Sequence, residues 1–204
     1  DRRYVVAGER AYVVGSQAGR FPASGWHIRG EMGGVWAPPR KLLDGLWFAI
    51  DGDWIGPARR FTSGFGHVSM DLPAPPGLEA RRVELVPDGR RAALIGLRLR
   101  STGARRTVEV SVDAHSELLG AYPWGETTPT AGEVNGQDAA TVEDGRLVFT
   151  DGEHAAFVGA ARQPVDTTTG PGFRGPQDPP VVCPTLGDTP ERCDDSSIGK
   201  GAGG

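Results

Sequence analysis

Short apolar runs separated by Gly, Pro and Asp-Gly turns dominate this chain, and that punctuation restricts it to antiparallel β structure. From residue 93, Ala93, Ile95, Leu97 and Leu99 alternate with Leu94, Gly96, Arg98 and Arg100. Val108, Val110, Val112 and Ala114 then alternate with Glu109, Ser111, Asp113 and His115. A period of two puts alternate side chains on opposite faces of a strand, so these runs predict half-buried strands. Arg82 to Val86 precedes them across a Pro87-Asp88-Gly89 turn, and the stretch 78–119 reads as an antiparallel meander with one wet face. A third set follows at 140–143, 147–150 and 155–160, joined by turns at Asp144-Gly145 and Asp151-Gly152.

Earlier in the chain, Tyr4-Val5-Val6 and Ala11 to Val14 flank Gly8-Glu9-Arg10 and predict a hairpin. Leu46 to Ile50 and Asp53 to Ile55 flank Asp51-Gly52, a pair that tolerates the positive φ angles of a type I′ turn. Both faces of the first of these strands are apolar, so this hairpin belongs inside a sandwich or beneath another domain. No window of helical length carries a period near 3.6, because Pro and Gly interrupt each candidate. The expectation is an all-β fold, a large antiparallel β-sandwich of at least about ten strands. It divides at residue 162 into a sandwich domain, 1–162, and a Pro/Gly-rich extended segment, 163–204. The closing Gly201-Ala202-Gly203-Gly204 reads as a linker or a chain break, and the start at Asp1 as that of a trimmed polypeptide.

Cys183 and Cys193 lie in the second segment, with nine residues between them and no His beside them. In an oxidising compartment they suit a local disulfide, worth about 2–3 kcal/mol in the chain-entropy model. Free thiols and a metal site are the alternatives. A net charge of −4 provides no basic field for nucleic acid, and the paired arginines read as solvated strand ends. No apolar run reaches the length of a membrane helix.

Chemistry-bearing motifs are sparse. There is no nucleophile elbow, phosphate loop, dinucleotide fingerprint or paired-His metal motif, so no cofactor is expected. Glu31, Asp44, Asp51, Asp53, Asp113 and Glu117 are the acids available for a glycosidase pair, but most sit where turns already favour Asp. Asp51 and Asp53 also have the spacing of calcium ligands, which the hairpin turn equally explains. The richest segment is 26–55, which holds four of the five tryptophans. Trp47 and Trp54 read as core. Trp26, His27, Arg29, Glu31 and Trp36, set among Gly30, Gly33 and Gly34, have the makeup of a carbohydrate subsite. Indoles stack on sugar faces while Arg and Glu grip hydroxyls. The same residues also suit a protein interface or the filling of a sandwich.

Three stretches carry a family resemblance. They are Arg29-Gly30-Glu31-Met32-Gly33-Gly34-Val35-Trp36, then Pro38-Pro39 with Lys41-Leu42-Leu43-Asp44-Gly45-Leu46-Trp47-Phe48, and Phe61-Thr62-Ser63-Gly64-Phe65-Gly66. Together they resemble the N-terminal β-sandwich of secreted bacterial glycogen-debranching-like glycosidases, whose C-terminal part is an (α/α)6 barrel of the six-hairpin type. The resemblance covers roughly residues 4–162. It implies a supersandwich-like domain that supports the barrel and borders its active-site mouth. It further implies a secreted glycoside hydrolase acting on an α-glucoside or related oligosaccharide, with the barrel portion of the same gene product as partner, whether joined or cleaved. The catalytic carboxylates then belong to the barrel, and no catalytic residue is assigned here. A free-standing carbohydrate-binding or surface interaction module is the alternative.

Overall fold

The computed structural model describes residues 1–21, 32–118, 138–171 and 197–203. Among these residues there are only strands, turns and irregular segments, and the fold is all-β and sandwich-like. The strands are β1 (Arg3–Ala7), β2 (Tyr12–Ser16), β3 (Gly34–Ala37), β4 (Arg40–Ile50), β5 (Asp53–Trp54), β6 (Arg60–Gly64), β7 (His67–Leu72), β8 (Leu78–Leu85) and β9 (Leu94–Ser101). They continue with β10 (Val110–Ser116), β11 (Ala139–Glu143), β12 (Arg146–Thr150), β13 (Ala155–Val158), β14 (Asp166–Pro171) and β15 (Ser197–Gly203).

Three sheets result. The largest runs β1-β2-β3-β4-β10-β15-β14, with β5 also on β4. A four-stranded meander runs β6-β7-β8-β9, and a three-stranded one β11-β12-β13. One core joins all three: Val6, Val13 and Ile50 from the first, Val68 and Met70 from the second, Leu147 and Phe149 from the third. Non-directional burial of apolar area drives that union, and it requires the alternation seen in the sequence.

The turns follow from residue type. Asp51 and Gly52 have φ of 52° and 86°, as the type I′ hairpin between β4 and β5 needs. Asp144 and Gly145, at 50° and 71°, repeat the solution between β11 and β12. Gly34 has φ of 110° at the start of β3, where a Cβ would overlap the Leu43 carbonyl oxygen.

One expectation is corrected. The stretch 78–119 is not one meander: β8 pairs with β9, but β10 pairs with β4 and β15 in the largest sheet. Alternation states which residues share a face, not which strand is the neighbour. The crossing link is held by the β4–β5 turn, where Asp51 Oδ1 accepts from the Glu109 amide at 2.9 Å and Arg106 pairs with Asp51 at 2.9 Å. Beyond residue 162, β14 pairs with β15 and β15 with β10. Ser197–Gly203, within the expected extended segment and overlapping the expected linker at Gly201–Gly203, is a strand because β10 offers it a backbone edge, which needs no apolar side chains.

Candidate functional site

One buried polar cluster is built on strand β4. The strand is buried along nearly its whole length, yet it carries Lys41 and Asp44. Two irregularities bracket them. Against β3, the register jumps from Leu43 opposite Val35 to Lys41 opposite Trp36. Against β10, it jumps from Gly45 opposite His115 to Leu43 opposite Ser116. A bulge re-aims side chains locally, and here Asp44, the residue skipped by β10, reaches both Lys41 and His115. The Lys41 ammonium donates to Asp44 Oδ1, and the His115 ring nitrogen Nδ1 shares a hydrogen bond with Asp44 Oδ2 at 3.0 Å.

Lys41 and Asp44 are 0% exposed. Removing two charges from water costs several kcal/mol per ion, which only a close, hydrogen-bonded pairing offsets. Burial by itself pushes the Asp44 carboxyl up. The Lys41 ammonium and the His115 ring outweigh it and hold the group below the usual carboxylate value. The cluster is closed to solvent, so it ties β4 to β10 rather than meeting a substrate.

Trp36 belongs to the same interior. It is 1% exposed, stacks on Tyr12 with ring planes 10° apart, and donates its indole N–H to the Met32 carbonyl at 3.2 Å. Lys41 Nζ lies 6.0 Å from its ring centroid. The indole that the sequence offers as a stacking surface is therefore packed on both sides. Trp26, His27, Arg29 and Glu31, and the cysteines Cys183 and Cys193, lie outside the described residues.

The other acids weighed for catalysis separate clearly. Asp113 and Glu117 are buried, Asp51 holds the crossing link, and Asp53 is exposed on β5. Among the described residues, no three His, Cys, Asp or Glu side chains converge as metal ligands.

A second buried polar set joins the two larger sheets. The Tyr4 hydroxyl donates to Glu84 Oε2 at 2.6 Å, and Arg82 Nη2 meets Glu84 Oε1 at 2.5 Å. Arg82 Nη1 donates to the Gly19 carbonyl at 3.1 Å, and the guanidinium lies 5.0 Å from the Phe21 ring centroid. Burial pushes the Tyr4 hydroxyl well above its ordinary value, and the Glu84 charge adds to the shift.

Beside this set is a pocket of about 130 Å³, partly open to solvent, lined by Arg20, Trp47, Phe48, Trp54, Leu72 and Arg82 among others. Phe21 meets Trp47 edge-on at 5.7 Å, which the absence of a side chain at Gly45 permits. Trp47 and Arg82 are nearly buried and Arg82 is bonded to Glu84 and Gly19, so the pocket offers a ligand chiefly the half-buried Trp54 indole, which supplies dispersion, and the exposed Arg20, a charge-assisted donor. The sequence assigned Trp47 and Trp54 to the core alone. The usable signal was Trp54, which directly follows an Asp-Gly-Asp turn on a strand too short to bury it.

Compared with known proteins, the chain matches no family model, no curated protein and no solved structure.

Proposed function

We propose that this chain is the non-catalytic β-sandwich of a secreted glycoside hydrolase acting on an α-glucoside or related oligosaccharide. Its role is to support and border the active site of an (α/α)6 catalytic portion. The observation that carries this reading is the pocket bordered by Trp54 and Arg20, a ring and a cation whose chemistry suits a sugar. Two further features agree with it. Three of the acids weighed for catalysis, Asp44, Asp113 and Glu117, are buried, in keeping with catalytic carboxylates supplied by the barrel. Phe65, within one of the resembling stretches, stands fully exposed at the tip of the β6–β7 hairpin, as a residue that meets a neighbouring domain would.

A free-standing carbohydrate-binding module is the second reading, favoured by one fact: the pocket is formed by this chain's own residues and opens directly to solvent. Calorimetry of the chain with starch, dextran and arabinan fragments, using wild type and Trp54→Ala, tests saccharide contact. Binding that Trp54→Ala abolishes without unfolding supports it; binding indifferent to Trp54 removes the pocket from the argument. The intact mass of the material that yields this chain separates the two readings. A co-purifying fragment of barrel size supports the first, and a lone monomer that binds saccharide supports the second.

A further inference from the structure

We propose that the outer edge of β9 is a docking edge for an extended partner segment that alternates aliphatic and acidic side chains. β9 (Leu94–Ser101) closes the β6-β7-β8-β9 sheet, and among the described residues no strand pairs with its other side. Its register with β8 is unbroken from Leu85 opposite Leu94 to Leu78 opposite Ser101, and it contains no Pro. A long, regular, bulge-free edge is what β proteins ordinarily blunt, because its backbone donors and acceptors template another strand.

The two faces of that edge specify the visitor. Toward the core, Ile95, Leu97 and Leu99 are only half buried, so an added strand with aliphatic residues there would complete their burial. On the outer face stand Leu94, 56% exposed, and the exposed Arg98 and Arg100. Cross-strand pairing sets Arg60, Asp71, Arg81 and Arg98 in one row across the sheet. Charges alternate along that row until the last step, where Arg98 faces Arg81. Like charges directly opposite are unfavourable, and an acid on the next strand beyond Arg98 compensates them. In the neighbouring row Glu79 holds Arg100 at 2.7 Å, and Arg100 too has its outer side open. An aliphatic residue on one face and an acid on the other is the pattern of a single extended peptide, read by backbone pairing and by charge together.

The test uses the whole chain and two eight-residue peptides, one alternating Val and Glu, the other alternating Val and Lys. The acidic peptide is expected to bind, to slow amide hydrogen exchange along β9, and to lose about fivefold in affinity in Arg98→Glu, with the basic peptide gaining correspondingly. Arg98→Glu replaces a like-charge neighbour of Arg81 with an opposite one, so the fold is expected to persist, as circular dichroism would show. Equal binding of both peptides, no binding of either, or protection elsewhere than β9 overturns the proposal. So does concentration-dependent self-association that protects β9 without peptide, which would give the edge to a second copy of this chain.

Discussion

Two sets of charges in this chain stand under opposite conditions. On β4 and β10, Lys41, Asp44 and His115 are sealed from water and bonded to one another. On the outer face of the β6–β9 sheet, Asp71 and Arg81 meet at 3.8 Å with about half of each side chain exposed. Each set joins an aspartate to basic side chains, but the surroundings reverse what each charge contributes. A buried charge without its partner is a large loss, because its hydration is not replaced. An exposed pair is screened by solvent and salt and holds almost nothing together. The first set therefore fixes register, and the second is available for recognition.

The sharpest way to break the comparison is Asp44→Ala. It removes the buried carboxylate that both Lys41 and His115 bond, and the expected loss is about 3–5 kcal/mol in urea unfolding. Lys41→Met with Asp44→Asn, which removes both charges at similar volume, is expected to recover much of that loss. A loss no larger than for a surface pair would mean that the cluster is hydrated.

Tyr4→Phe comes next. Hydrogen bonds to charged groups contribute about 1.5–3 kcal/mol, and this substitution deprives Glu84 of one such donor. The raised Tyr4 hydroxyl adds an alkaline signature. The unfolded tyrosine ionises near pH 10 while the folded one keeps its proton, so this contribution is complete below about pH 10 and declines above it. Tyr4→Phe is expected to reduce the alkaline slope of stability.

Asp44 gives the acid counterpart. Its folded value is lowered, so the unfolded state binds more protons as the pH falls and stability rises with pH. The contribution is complete above about pH 4 and is lost as the pH falls through the lower folded value. Urea midpoints from pH 5 downward should fall less steeply in Asp44→Asn than in wild type.

The smallest effect is Asp71→Asn, expected to change stability by less than about 0.5 kcal/mol and less still in high salt. A loss comparable to that at Asp44 would erase the distinction between the two regions.

Local signals made much of the fold legible. The hairpin of β1 and β2, the turn at Asp51-Gly52 and the trio β11 to β13 are written in alternation and in residues that accept positive φ. The sites were less legible. Lys41 and Asp44 break an otherwise apolar run, which marks them as unusual, but nothing near them announces His115, which meets them from a strand far along the chain. Arg20 and Arg82 look like any solvated arginine until the sheets bring them beside Trp47 and Trp54.

By itself, then, the sequence determined where strands begin, where they turn and which side chains share a face, because φ preferences and two-residue periodicity act over a few neighbours. Only the tertiary structure decided that β10 leaves the meander for β4 and that Trp36 faces inward. It also decided that a bulge delivers Asp44 to Lys41 and His115, and that Arg98 and Arg100 line a strand whose other side is unpaired among the described residues. Those outcomes depend on which surfaces meet across long sequence separations, and on the cost of burying a charge unless its partner arrives from elsewhere in the chain.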